Sequence, residues 1–150
     1  MQFPKSDPRS KTSSAKSAAL AAKILSKHGF TAQDIVIVCD AIRDHSYSRG
    51  MIPQTLVGKI LQDADRLDAL GAIGIARAFS VGGSEKRALY HNLDPFCRTR
   101  KPDDHSWTVD HFYKKLLLLE KKMNTKTGKA LAKKRTKLMI KFLSDLKGEI

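Results

Sequence analysis

The stretch KILQDADRLDALGAIGIARAF, Lys59 to Phe79, decides the reading of this chain. Ile60, Leu61, Leu67 and Leu70 are spaced as the apolar side of a helix, with Asp63, Asp65, Arg66 and Asp68 set between them. In an α-helix Asp65 and Asp68 share a face at i,i+3, whereas Asp63 lies about 200° round from Asp65 and pairs more naturally with Arg66. Aspartate is a poor helix-interior residue because its short side chain competes for backbone hydrogen bonds. Three of them in six positions therefore point to a site over a solvated face, with a plain solvated face as the alternative. Gly71 and Gly74 each cost about 1 kcal/mol relative to alanine in a helix, so close packing is expected to explain them.

Working outward, AKSAALAAKILSKHG after Ser14 is rich in helix formers and stops at Gly29. Thr31 with Asp34 three residues on resembles a capping box, and Ile35, Val38, Cys39 and Ile42 carry a second helix to about His45. Ser46 to Met51 reads as a turn, and Pro53 suits the first position of a third helix over Gln54 to Ala69. Leu70 to Phe79 continues the helical pattern. Ser80 to His105, with Gly82, Gly83, Pro95 and Pro102, is long for a connection and reads as a lid or a disordered loop. Thr108 to Lys122 and Lys126 to Leu146 are amphipathic, with Phe112, Leu116, Leu119 and Met123, then Leu131, Leu138, Phe142 and Leu146, facing inward. The expectation is an all-α domain over 15–150, of about five helices and one long loop (80–105), behind a flexible lead-in over 1–14.

At 150 residues one domain is expected, and 41% apolar with 29% charged residues matches an ordinary soluble domain. Cys39 and Cys97 make no zinc or disulfide spacing, which fits a reducing cytoplasm. No apolar run approaches the roughly 18 residues of a membrane span, and Met1 to Ser14 lacks the apolar core of a secretory signal. The net charge is +13; residues 106–150 hold 12 basic against 4 acidic side chains, which points to an anionic partner.

Imidazole beside carboxylates is a usual constituent of divalent-metal and general-acid sites, and His45 stands in Asp44-His45-Ser46-Tyr47-Ser48. A histidine at a helix C-terminus is equally explained by the helix dipole. His111, in Asp110-His111-Phe112-Tyr113, has the same two readings, while His28, His91 and His105 have no suggestive neighbours.

The run Lys59 to Phe79, together with AIRDHSYSRG at Ala41 to Gly50 and HFYKKLLLLEKKMNT at His111 to Thr125, resembles the HD-domain metal-dependent phosphohydrolases, near their bacterial nucleotide-hydrolase-like branch. The likeness extends from about Ala18 to Ile150. It implies an all-helical, HD-domain-like bundle and a divalent ion (manganese, magnesium, iron or another transition metal) that activates water against a phosphate ester or anhydride. Nucleotides are the implied substrates. On the residues that match, Asp65 takes the place of the family's last metal ligand. Asp63, Asp68 and His45 would orient the water or face the phosphate as catalytic groups. Arg66, Arg77, Lys115 and His111 would bind substrate.

The chain departs from the family pattern in having no His-Asp dipeptide; Asp44-His45 runs in the reverse order. Three of the four ligands that the resemblance implies have no match, and two ligand-bearing helices are expected to be missing from an N-terminally truncated bundle. Either the chain is a fragment, or it is a degenerate member of the family. A fragment is expected to expose apolar surface beside Ile42, Leu61 and Ala64.

Lysines recur through the last two helices, including Lys114, Lys115, Lys126, Lys133 and Lys141. A solvated face accounts for them. A phosphate-facing role for Lys115 with Arg66 and Arg77 is a second reading. Nucleic-acid binding is a third, with sparse aromatic interleaving against it. The alternative function is accordingly a non-catalytic helical module that binds nucleotides or nucleic acid through its basic C-terminal face.

Overall fold

The structure is a computed structural model that describes residues 12–45 and 50–150. The expected lead-in lies, up to Lys11, outside the described residues, as does most of the turn expected over Ser46 to Met51. Among the described residues the architecture is all-α, as expected: α1 (Ser13–Lys27), α2 (Ala32–Asp44), α3 (Leu56–Leu67), α4 (Gly71–Ser84), α5 (Asp110–Lys114) and α6 (Lys126–Glu149), with two short 3-10 turns at Leu116–Leu118 and Glu120–Lys122. No strand forms among them; Ala88 and Trp107 make one isolated bridge. The chain divides into two compact units, Met1–Asp65 and Arg66–Ile150, with the division inside α3.

In the first unit α1 stops where Gly29 takes a φ of +76°, a conformation that costs a residue without Cβ little. Thr31 then caps α2: its hydroxyl accepts from the Asp34 amide at 3.2 Å and donates to the Asp34 carboxylate at 2.7 Å, the box read from the sequence. α1 and α2 pack together, and the Cys39 thiol donates to the Ala18 carbonyl at 3.3 Å. Pro53 does not open α3 as expected. Thr55 supplies the cap instead, accepting from the Gly58 amide at 3.1 Å, and the helix begins at Leu56. Gly58 is required there, because a Cβ would come 2.7 Å from the Pro53 Cβ.

This unit buries little large apolar surface. Ala18, Ala41 and Pro53 are its buried apolar side chains among the described residues, whereas Leu20, Ile24, Val57 and Ile60 are about half exposed. Val38, Ala41, Ile42, Val57, Ile60, Leu61 and Ala64 line an open groove of about 360 Å³ with no polar side chain in its walls. This is the apolar surface expected beside Ile42, Leu61 and Ala64.

The larger core lies in the second unit, in Leu70, Val109, Phe112, Leu116, Leu119, Met123, Met139 and Leu143. Phe79, Phe112 and Phe142 meet with ring centroids 5.7 to 6.0 Å apart, joining α4, α5 and α6. Glycine is explained by close approach at two positions: a Cβ on Gly74 would fall 2.2 Å from the Ala69 carbonyl, and one on Gly82 would fall 2.1 Å from the Thr108 hydroxyl. That packing carries α4 on to Ser84, so the expected loop begins later than Ser80. The helix expected over Thr108 to Lys122 is broken after Lys114. The 3-10 turns that replace it eclipse residues three apart, which turns both Leu116 and Leu119 into the core. With α4 separate from α3, the described residues hold six α-helices where about five are expected.

The segment from Glu85 to Trp107 has little regular secondary structure and is held by hydrogen bonds. Asp94 accepts from the Arg98 and Thr99 amides, both at 2.9 Å, and these bonds lower its pKa to about 2. Arg100 grips the buried Asp110 at 2.5 and 2.7 Å, bonds the Asp94 carbonyl at 3.0 and 3.2 Å, and lies 4.6 Å over the Trp107 ring. The Asp103 amide donates to Asp110 at 2.6 Å. Burial by itself raises the Asp110 pKa, but the bonds from Arg100, the Asp103 amide and Cys97 outweigh it and hold the carboxyl below its ordinary range.

Three expected outcomes follow from this packing. Gly82→Ala should destabilise by ~1–3 kcal/mol through overlap with Thr108. Gly83→Ala, with open space around it, should stabilise by about 0.5–1 kcal/mol; thermal melts of the pair read both signs. The native pKa of Asp110 lies below the unfolded value of about 3.9, so its stabilisation is present above that pH and is lost as pH falls through the native value. Asp110→Asn should cost ~3–5 kcal/mol near neutrality and flatten the acid limb of a denaturation series. An environment-sensitive hydrophobic dye should brighten on the folded chain, and less so on a Val57→Ser, Ile60→Ser double variant; equal brightening would mean that the groove is not the dye site.

Candidate functional site

α3 ends at Leu67, short of the expected Ala69, so Asp68 lies in the turn after it, and the three carboxylates differ sharply in their surroundings. Asp63 is buried, at 3% exposure, beside the fully buried Gln62, whereas Asp65 is exposed and the Asp68 side chain is 73% exposed. Gln62 explains why this stretch is positioned as it is. Its amide donates to the Met51 carbonyl at 2.8 Å and to the Asp44 carbonyl at 3.1 Å, tying α3 to the end of α2 within the first unit. His45, the residue after α2, holds the Ile42 carbonyl at 2.6 Å through Nδ1. A carbonyl only accepts, so Nδ1 carries the hydrogen, and in the neutral ring Nε2 keeps the lone pair that can take a proton or a metal. Asp44 is engaged by Arg43, at 2.9 Å from both Nε and Nη2.

In the second unit Arg66 is buried and donates through Nη1 to the Lys122 carbonyl, so its guanidinium caps a chain turn. Arg77 bonds the Asp68 carboxylate at 3.2 Å and the Asp68 carbonyl at 3.1 Å. Both side chains are well exposed, and an ion pair of that kind contributes ~0–1 kcal/mol, so it exchanges readily for another anion. His111 Nδ1 lies 2.7 Å from one Asp104 oxygen, and Lys114 Nζ lies 2.6 Å from the other. Burial opposes the ionisation of Asp104, but Lys114 and His111 outweigh it and hold the carboxyl far below the usual range. Lys115 is half-buried. The structure thus brings together Asp68 with Arg77, and His111 with Asp104 and Lys114.

Among the described residues no group of three or more His, Cys, Asp or Glu side chains is assembled to hold a metal ion. Asp65 is a single exposed carboxylate, and a divalent transition metal needs several protein ligands in a fixed geometry. The residues present do not fit a self-contained metal centre. The sequence reading passed over Asp94, Arg100, Asp104 and Asp110. The signal it had was the density of Asp and Arg between Pro95 and Asp110 in a segment with no periodicity.

No family model matches the chain. It is similar to the protein YpgQ of Bacillus subtilis, at 41% identity over 98 residues that make up 65% of this chain and 42% of YpgQ. A crystal structure of YpgQ in complex with ADP superposes with a TM-score of 0.71 at 34% identity, covering 89% of this chain and 61% of that one. An HD-superfamily hydrolase from Bacillus thuringiensis gives 0.70 at 33% identity, over 88% of this chain and 61% of that one. A protein from Lactobacillus plantarum gives 0.68 at 36% identity, over 90% and 67%. The chain therefore spans less than two thirds of YpgQ and of the Bacillus thuringiensis hydrolase. Its all-helical order, together with identity above 30% to these structures across nearly nine tenths of its residues, places the chain in the HD-domain superfamily.

Proposed function

We propose that this chain is the nucleotide-phosphate-binding part of a metal-dependent phosphohydrolase of the HD type, and that it works in the cytoplasm with residues 15–150 as its domain. No helix among the described residues is long and apolar enough to cross a membrane. The observation that carries the reading is the run from Asp63 in α3 to Asp68 in the turn that follows it, which ends in the exposed Asp68–Arg77 pair. The ADP in the YpgQ crystal structure supports it.

Each residue has a task in this reading. Arg77 releases Asp68 and turns its fork of donors to a phosphate, which it matches better than a lysine would. Lys115 and His111 add positive and donor groups, and Arg66 bonds the Lys122 carbonyl. Asp65 contributes one carboxylate toward a divalent ion, such as manganese or magnesium, while Asp63, Asp68 and His45 are the groups that would orient water or phosphate. Metal-assisted hydrolysis would use the cation to lower the pKa of water and to offset phosphoryl charge. With one ligand in hand, the chain by itself is a binder of nucleotide rather than a complete catalyst.

Calorimetric titration of the whole chain with ADP in metal-free buffer should give saturable binding, and Arg77→Gln should weaken it about tenfold, or ~1.4 kcal/mol. Mn²⁺ alone should give no tight one-to-one complex. Absence of ADP binding would sink the proposal. Stoichiometric Mn²⁺ binding that disappears in Asp65→Ala would replace it with a complete metal centre, and nucleotide hydrolysis would then be expected.

A further inference from the structure

The lysines of α6 are not scattered. At 3.6 residues per turn, Lys126, Lys129, Lys133, Lys137, Lys141 and Lys147 fall within an arc of about 120°, over about 31 Å of helix. All six are exposed, and Lys134 lies at the edge of the same arc. No Asp or Glu of α6 falls inside it. Lys141 bonds Asp145 at 2.6 Å, whereas among the described residues no carboxylate pairs with Lys126, Lys129, Lys133, Lys137 or Lys147. Successive members at i,i+4 are about 6 Å apart along the axis, a spacing comparable with that of the phosphates along an extended strand.

The stripe ends in a groove. Ile140, Ser144 and Lys147 belong to the arc, and they also form one wall of an open groove of about 400 Å³, whose other wall is Phe96, Arg98, Tyr113 and Leu117. A line of lysines, all but Lys141 without a carboxylate partner among the described residues, therefore runs into a groove that offers two aromatic rings and one further cation, Arg98. Phosphates need the first and the flat faces of bases need the second. A duplex keeps its base faces stacked away, so the groove would add nothing for it. A lipid surface would need the apolar face of a basic helix, but Ala132, Met139 and Leu143 of α6 are buried within the unit.

We infer that α6 and this groove bind single-stranded nucleic acid, with the backbone along the lysine stripe and a base in the groove between Phe96 and Tyr113. This surface uses none of the residues assigned to nucleotide phosphate above, so the two readings stand or fall separately.

The test is fluorescence anisotropy of a labelled oligothymidylate with the whole chain across a salt series. Six phosphate contacts predict a slope of log affinity against log salt of about −4, at about −0.7 per contact. The exposed Lys133→Gln, Lys137→Gln pair should make the slope shallower by about 1.4, whereas Lys23→Gln on α1 should leave it unchanged. Phe96→Ala should weaken oligothymidylate about tenfold, as expected for the loss of one stacked base, without changing the weaker binding of inorganic polyphosphate. Equal affinity for polyphosphate, tighter binding of duplex, binding of phosphatidylserine vesicles in place of the oligonucleotide, or a slope unmoved by the lysine pair would each overturn the inference.

Discussion

Asp110 has no access to water, and an ionised carboxylate in that position persists only where donors surround it. Much of the second unit's irregular chain is arranged to provide them. Arg100 must reach back to Asp110, and it does so while bonding the Asp94 carbonyl and covering Trp107. Asp94 in turn fixes the amides of Arg98 and Thr99, and the Asp103 amide closes on the same carboxylate. A segment with no helical or strand periodicity is thereby held by polar contacts instead of apolar ones. The charge network also places Phe112, two residues after Asp110, against Phe79 and Phe142.

The first unit is built on a different balance. Its apolar residues follow helical spacing, yet much of the surface they form is left open, and the groove along α2 and α3 has walls without a polar group. What fixes α3 to α2 is the buried Gln62 amide on two carbonyls, a directional contact rather than a large apolar one. The carboxylates that follow Gln62 inherit their positions from it: Asp63 turns inward and Asp65 outward. Arg66 and Arg77 divide into one side chain with an exchangeable partner and one that holds the fold. Arg77 is of the first kind. Arg66, which bonds the Lys122 carbonyl, is of the second.

Helix α6 separates two roles along one sequence. Its buried side carries Gly128, Ala132, Thr136, Met139 and Leu143. Its outer side carries lysines at the same period, and because the period is shared, the charges line up instead of spreading round the helix. Half of the basic residues in 106–150 thus lie on one exposed arc of α6.

By itself the sequence determined the helical class, the capping of α1 and α2, the apolar face left beside Ile42 and Leu61, and the superfamily, the last through the run from Lys59 to Phe79. These are local properties: period, cap chemistry and a motif are written in residues a few positions apart. Tertiary structure decided what depends on distant partners. It ran α4 past Gly82, where Thr108 leaves no room for a Cβ, and it broke the helix after Lys114 so that Leu116 and Leu119 both reach the core. It also ordered the segment before Trp107 around a buried charge, and it gave Arg66 and Arg77 opposite surroundings. Neither a burial cost nor the donor that offsets it is visible in a one-dimensional pattern, since the residues that meet the cost are distant in sequence and adjacent only after folding.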